Sequence, residues 1–473
     1  MEFPQRLMSL RFYNSMTQQV EEFTSMDGQS VRMYSCGPTV YNFAHIGNLR
    51  TFTFVDILRR VLAARGYTLN HVMNITDVDD KIIRDAAKAG KSLSELTRHY
   101  EAAFLEDIAE LRLQQPEKLV RATEHITDMV SFIEQLTAKG VAYESQGSTY
   151  FSINKFPGYG KLSHKDMDGL KSGARVDADE YDKENTSDFV LWKAKKEGEV
   201  FWETPIGDGR PGWHIECSCM AMKHLGETLD IHTGGIDLQF PHHENEIAQS
   251  EALSGKPFSR FWLHSEHLSV DWTKMSKSLG NIYTLRDLKG MGYTPEALRY
   301  LLASVPYRKK LNFTFDGLKA AQTSIERLRN YQLRLETAQF GPGLNAALEE
   351  RSAQAAKTFD EALDDDLNTA EALAAVFEFV RDTNSAMDAG EFLAGNITGA
   401  RQLLAKFDAI FDVLQAKQEA GGISDAEVEQ LVADRTAAKK ARDFKRSDEI
   451  RNQLAELGVI LEDTKDGVRW KRK

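Results

Sequence analysis

VRMYSCGPTVYNFAHIGNLRTFTFVDILRRVLAARGYTLNHVMNI, residues 31–75, carries two strand patterns separated by a helical one. VRMYSCG (31–37) is short, apolar and β-branched at its start; GNLRTFTFVDILRRVLAARGY (47–67) has apolar residues at helical spacing and runs out at Gly66; TLNHVMNI (68–75) reads as the next strand. Strand, helix and strand of these lengths predict a βαβ unit, and so a parallel sheet with a right-handed crossover. Ligands on such sheets bind beyond the carboxyl ends of the strands, which is where CGPTVYNFAHIGN falls.

Working outward, residues 80 to 140 are predicted to be mostly helical, 141 to 200 an irregular insertion rich in Gly, Asp and aromatic residues, and 225–235 (LGETLDIHTGG) a return to βα character before a helix that opens at PHHENE. Beyond about residue 310 the pattern is helical, and a Gly- and Ala-rich hinge (419–428) precedes a small module ending in the strand pair GVILED and GVRWKRK. The expected fold class is therefore α/β: a Rossmann-like parallel-sheet domain with an insertion, then a helical bundle and a small C-terminal module.

A chain of 473 residues is too long for a single core of ordinary size. With 42% hydrophobic and 27% charged residues it has the composition of a soluble globular protein. No apolar run approaches the ~20 residues that cross a bilayer, and MEFPQRLMSLRFYNS lacks the apolar core of a signal peptide. Three cysteines suit a reducing cytoplasm rather than a disulfide framework. A net charge of −12 excludes wholesale coating of nucleic acid, yet RTAAKKARDFKR (435–446) and VRWKRK concentrate positive charge near the end.

Three stretches carry chemistry. In AHIGN (44–48), His45 and Gly47 stand at the start of a helix, where unpaired backbone N–H groups suit a phosphate and a glycine lets a nucleotide come close. KMSKSLGN (274–281) places Lys274 and Lys277 on a Ser- and Gly-bearing loop able to meet charge developing on a leaving pyrophosphate. In FPHHENEIAQS, His242 and Glu246 lie four apart, on one face of a helix. Thiolates from Cys217 and Cys36 would complete a set of two sulfurs, one nitrogen and one oxygen that favours zinc. In an extended segment Cys217 and Cys219 would point to the same side, so that GWHIECSCM could also present a pair.

HIGN followed some 230 residues later by KMSKS resembles the two signatures of class I aminoacyl-tRNA synthetases, which in that family flank ATP on a Rossmann-like sheet. CGPTVYN, NITDVDDK, DFVLWK, GRPGWHIECSCM, DIHTGGIDLQFPHHENEIAQS and KMSKSLGN occur in the order and spacing found in cysteinyl-tRNA synthetases, a resemblance covering nearly the whole chain. It implies one zinc on Cys36, Cys217, His242 and Glu246 that takes the thiolate of L-cysteine, with Gly37, Thr76 and Trp213 around the bound amino acid. It places ATP, used with Mg2+, against Pro38, Thr39, His45, Gly47, Asn48, Lys274, Met275, Ser276, Lys277 and Ser278; His45, Lys274 and Lys277 would be catalytic. Under this resemblance the segments are residues 1–120 and 206–265 (catalytic domain), 121–205 (insertion), 266–310 (KMSKS loop and stem contact), 311–410 (helical bundle) and 411–473 (anticodon-binding module). It further implies a monomer whose partners are L-cysteine, ATP and tRNA(Cys), with residues 435–446 and Trp470 as tRNA contacts.

Three positions depart from the family's pattern: Asn48 stands where a second His is common, Glu266 and His267 where Gly and an apolar residue are usual, and Cys219 where a small residue such as Ala is typical. A cysteine ligase that passes its amino acid to an amino sugar would share the catalytic half but lack the C-terminal portion present here. A non-catalytic tRNA-binding paralogue would not need both the metal set and Lys277.

Overall fold

The computed structural model describes residues 9–164, 188–276, 279–415, 425–464 and 467–472. These fall into two compact units, Met1–Asp412 and Val413–Lys473.

The first unit is organised on five parallel strands: β1 (Ser30–Ser35), β2 (Thr68–Ile75), β3 (Lys118–Arg121), β4 (Leu229–Gly235) and β5 (Ser259–Ser265), in the order β5-β4-β1-β2-β3. The chain leaves β1 on one side for β2 and β3 and later returns on its other side with β4 and β5. The reversal opens a crevice at the carboxyl ends of β1 and β4, the position at which sheets of this type bind ligands. β3 is a departure from the sequence expectation: it interrupts the region read as helical, because four residues at a sheet edge are too few to show a period against the helices on either side.

Helix α1 (Ile46–Ala64) is the crossover. Its residues are buried on nearly every side, including Leu49, Phe52, Val55, Leu58 and Leu62, as suits a helix covered on both faces. It is followed by α2 (Asp80–Ala89), α3 (Leu93–Glu110) and α4 (Ile126–Ala138). The region read as irregular contributes Ala142–Ser145, Ser148–Phe151 and Phe189–Ala194 to an antiparallel four-stranded sheet completed by Gly209–Pro211, strands too short for a period to show. It is tied to the amino end of α2 by Asp80, whose carboxylate is bridged by Lys193 at 2.7 Å and Arg210 at 2.5 Å.

Residues 213–220 are not extended. They form the start of α5 (Trp213–Leu225), where residues two apart face away from each other. Cys217 and Cys219 therefore diverge. The helix expected to open at PHHENE begins later, as α6 (Glu244–Ser254), after an irregular turn over Gln239–His243.

Beyond β5, strands β6 (Leu268–Val270), β7 (Thr273–Lys274) and β8 (Leu311–Phe313) form a small sheet in the order β7-β6-β8. Helices at Phe315–Thr337, Ala346–Asp364, Thr369–Asp388 and Ile397–Phe411 then complete the first unit. The second has two helices, Asp425–Lys440 and Phe444–Glu456, and the hairpin Val459–Thr464 with Gly467–Arg472, closed over Val428, Ile450, Leu454 and Val459. Arg435, in the basic run, is buried within this module, and Trp470 packs against its core. None of the helices among the described residues is long and apolar enough to cross a membrane.

Candidate active site and metal centre

A cleft of about 440 Å³ opens at the carboxyl ends of β1 and β4. Its lining includes Cys36, Gly37, Pro38, Thr39, His45, Gly47, Asn48, Thr76, Trp213, Cys217, His242 and Met275, residues drawn from five separated stretches of chain.

At the floor, Cys36 follows the end of β1, Cys217 lies on α5, His242 in the irregular turn and Glu246 on α6. Their donor atoms all lie within 4.8 Å of one another. Cys36 Sγ is 3.8 Å from Cys217 Sγ and 3.6 Å from Glu246 Oε1, and His242 Nε2 is 3.0 Å from Glu246 Oε1. A tetrahedral zinc with bonds of about 2.0–2.3 Å has donor edges of roughly 3.3–3.8 Å, so this cluster is close to the size the ion requires. A second set, Cys36, His232, His243 and Glu246, also converges. Of the residues unique to each set, Cys217 and His242 line the cleft and His232 and His243 do not. The first set thus presents Cys36, Cys217 and His242 to the cleft, and the second Cys36 alone.

The remaining histidines buttress that set. His232 Nε2 meets the other oxygen of Glu246 at 2.7 Å. His243 Nε2 lies 3.4 Å from Cys36 Sγ, while its Nδ1 pairs with His264 Nε2 at 2.8 Å, and His264 Nδ1 with Ser15 Oγ at 2.7 Å. His242 is gripped by His214, Nδ1 to Nδ1 at 2.9 Å, and by the Trp213 ring, stacked at 4.2 Å and 19°. Such outer contacts fix ligand orientation in metal sites. The charges fit too. Burial opposes ionisation of Cys217, yet the Cys36 thiol and the His242 ring outweigh it and bring Cys217 down to about 6. For His242, burial is overcome by Glu246 and Cys217, which raise it to about 10. The cluster thus holds a thiolate, an imidazolium and a carboxylate together, and a divalent cation can replace the protons that keep them in balance.

Cys219 belongs to neither set. It is buried in the apolar core beside α5, and burial pushes its thiol up to about 12.

Above the floor, the strand pair continues past the ends of β1 and β2: Thr76 N–H donates to Pro38 O at 3.0 Å and Val40 N–H to Thr76 O at 3.1 Å. Gly37 sits so close to β2 that a Cβ there would lie 1.7 Å from Asn74 O, which only glycine avoids. Gly37 N–H donates to Asn74 Oδ1, Asn74 Nδ2 to Thr76 Oγ1, and Thr76 Oγ1 to the buried Glu216. This relay fixes both Gly37 and Thr76.

His45 caps α1. Asn48 N–H donates to His45 Nδ1 at 3.3 Å, and His45 N–H donates to Asn48 Oδ1 at 3.2 Å. The Asn that departs from the family's second His therefore closes a capping box. Burial lowers the His45 pKa, and with Nδ1 accepting, the neutral ring carries its proton on Nε2. Because Ile46 N–H is taken by Tyr283 O, and Asn48 N–H by His45, the helix start offers fewer unpaired donors than expected; Gly47 N–H is the one without a partner among the described residues. The space above Gly47 is occupied, since a Cβ would meet Met275 Cε at 2.5 Å.

Ser276 N–H donates to Asn281 Oδ1 at 2.9 Å. Lys274 is exposed on β7 and is not part of the cleft lining; Lys277 and Ser278 lie outside the described residues. Glu266 borders the cleft, with one carboxylate oxygen accepting the neighbouring His267 N–H at 2.9 Å. Asp237, Lys81 and Tyr100 also line the cleft and were not among the residues expected from sequence. Asp237 could have been found from HTGGID, because an acid just past a strand's carboxyl end is where such sheets place ligand contacts.

A family model described as tRNA synthetases class I (C) catalytic domain matches residues 22–323, a DALR domain 358–415, and a cysteinyl-tRNA ligase anticodon binding domain 424–470. The cysteine-tRNA ligase of Solibacter usitatus (strain Ellin6076) is 66% identical over 466 residues, covering 98% of this chain and 100% of its own. That of Koribacter versatilis (strain Ellin345) is 54% identical over 495 residues with the same coverage. Among solved structures, Mycobacterium tuberculosis methionyl-tRNA synthetase bound by methionyl-adenylate superposes with a TM-score of 0.62 at 13% identity, over 81% of this chain and 92% of that one. At that identity the likeness concerns the fold alone.

Proposed function

We propose that this chain, which belongs to the cysteine-tRNA ligase family of class I aminoacyl-tRNA synthetases, selects L-cysteine by zinc-thiolate bonding at Cys36, Cys217, His242 and Glu246. The family's reaction uses cysteine, ATP and tRNA. The observation that carries the proposal is a buried set of two sulfurs, one imidazole and one carboxylate on the floor of a cleft whose rim bears His45 and Met275. Bound there, zinc would supply a soft, cationic partner for a thiol, which the hydroxyl of serine matches poorly. Selection then rests on a bond that the competitor cannot form well, and no separate editing site is required.

The chain's own residues do the rest. Trp213 and Thr76 flank the amino acid, with Gly37, held against Asn74, beside it. The substrate carboxylate attacks the α-phosphate of ATP, bound with Mg2+, so the protein has to orient two reactants and stabilise charge rather than provide a nucleophile. His45 serves as a neutral Nε2–H donor to the phosphates, the Gly47 N–H as a second donor, and Lys277 as the cation on the loop. Pro38, Thr39, Asn48, Met275, Ser276 and Ser278 shape the nucleotide site. Residues 311–410 and 411–473 are assigned to the stem and anticodon of tRNA(Cys), and the exposed Lys439, Lys440, Lys445 and Arg446 to its phosphates.

The test is cysteine-dependent exchange of pyrophosphate into ATP, followed by charging of tRNA(Cys), with metal analysis of the purified protein. One zinc per chain, exchange with cysteine and none with serine are expected. Exchange without bound zinc would overturn the metal assignment.

A further inference from the structure

A second, much smaller cavity of about 20 Å³ lies between α1, the end of β5 and the start of the helix Thr369–Asp388. Apolar side chains form most of its lining, among them Phe54, Leu302 and Leu367. Three polar residues interrupt it: Arg50, Ser265 and Thr369. They are buried, at 2%, 2% and 4% exposure. Each has an enclosed polar atom, Arg50 Nη1, Ser265 Oγ and Thr369 Oγ1, without a hydrogen-bond partner among the described residues. Buried polar groups are nearly always satisfied, so three such atoms on one cavity point to a ligand.

The chemistry of the three narrows what that ligand is. A guanidinium only donates hydrogen bonds, and each hydroxyl has a proton to donate. The other nitrogens of Arg50 are engaged: Nε donates to Glu266 O at 3.1 Å, and Nη2 to Lys309 O and, at 3.5 Å, to Pro306 O. These partners are neutral carbonyls, and Arg50 forms no ion pair among the described residues. Burial pulls Arg50 down to about 10, with Glu266 opposing, so the side chain is cationic at neutral pH. Asp366, which precedes the helix, is already held by Tyr13 N–H at 2.8 Å, Tyr307 Oη at 2.6 Å and Arg308 Nε at 2.5 Å. An enclosed cation without a counter-charge is costly, and the start of a 20-residue helix adds positive potential beside it. One water needs roughly 10–15 Å³ and would fit, but it accepts from only two of the three donors and leaves the charge unbalanced. A monatomic anion accepts from all three and balances it.

We propose that Arg50, Ser265 and Thr369 form a buried binding site for a single halide ion, chloride in a cell, which joins α1 to β5 and to the helix Thr369–Asp388. The site does not depend on the reaction assigned to the cleft. Crystals of the full chain soaked in bromide and measured at the bromine absorption edge should show an anomalous peak within hydrogen-bonding reach of Arg50 Nη1. In solution, replacing gluconate by chloride at constant ionic strength should raise Tm by about 1–3 °C for each tenfold increase above the Kd of the ion. Thr369→Val removes one donor at nearly constant volume and should move the chloride concentration needed for the same rise upward about tenfold, the loss of one hydrogen bond to a charge. Thr369→Ser, which keeps the hydroxyl, should retain the wild-type response. Should Thr369→Val fail to fold, the bromide map and the chloride response of the wild type decide. No peak at Arg50 together with melting indifferent to chloride would overturn the proposal and leave water as the occupant. A peak without any chloride response would mark an adventitious ion only, and an unchanged response in folded Thr369→Val would place the ion elsewhere; either result also overturns it.

Discussion

Cys36, Cys217, His242 and Glu246 are each at most 7% exposed, and their neighbours His214, His232 and His243 hold three of the four from behind. Trp272, Thr273 and Lys274, on the hairpin that introduces KMSKS, are exposed and rest on a few backbone contacts. The first is enclosed and fixed by its neighbours, and the second is left open on the surface. The physical reason is the cost of burial. Charged and polar ligands can be enclosed only if each is satisfied on every side, which fixes their geometry. A surface hairpin has no such requirement, and in this chain it turns through Asp271 and Trp272 with positive φ.

The largest break in that contrast should come from the buried side. Cys217→Ala should abolish zinc binding, read by metal analysis, and lower cysteine-dependent exchange by at least about a hundredfold, since even outer-shell changes cost 10- to 100-fold in metal sites. Retained zinc with normal cysteine affinity would show that the alternative set around His232 and His243 holds the ion. Next comes His45→Ala. Loss of a donor aimed at developing charge should reduce the rate of adenylate formation about 10²- to 10³-fold, with the KM for cysteine little changed. Because His45 also caps α1, thermal melting should fall as well, and His45→Asn, which keeps a cap, separates the two effects. An unaltered exchange rate in a folded variant would remove His45 from the chemistry.

Smaller effects test the open side. Glu266→Gln removes a carboxylate from the border of the cleft and should lower the KM for ATP about two- to fourfold, as expected for a partly screened charge some distance from the phosphates. A rise in that KM would mean that the acid holds a cation or a loop residue in place. The smallest effect is expected from Cys219→Ala: zinc content and charging unchanged, and stability lower by about 1 kcal/mol for the lost sulfur. Reduced zinc in this variant would make Cys219 a participant.

Much of this site was legible one-dimensionally. His45 before Gly47, the four-residue step from His242 to Glu246 and the KMSKS loop each carry chemistry in their local spacing. β1, α1 and β2 follow from apolar period alone. An extended segment would have let Cys217 and Cys219 face the same way; the resemblance read Cys217 as a ligand and Cys219 as a small buried neighbour, and the helix at Trp213–Leu225 turns their side chains apart. The β3 strand and the antiparallel sheet of the insertion escaped because strands of three to six residues are too short for a period to appear.

The chain's order of residues by itself determined the donors: two sulfurs, imidazoles and a carboxylate in numbers that suit zinc, and a His and lysines that suit phosphate. Which of them meet was decided only by the tertiary structure. Cys36 lies 181 residues before Cys217, and no local rule reaches that far; the parallel order β4-β1-β2 brings them to 3.8 Å. The same folding set two rival ligand groups around Cys36 and Glu246, and access from the cleft, a property of the packed molecule, distinguishes them.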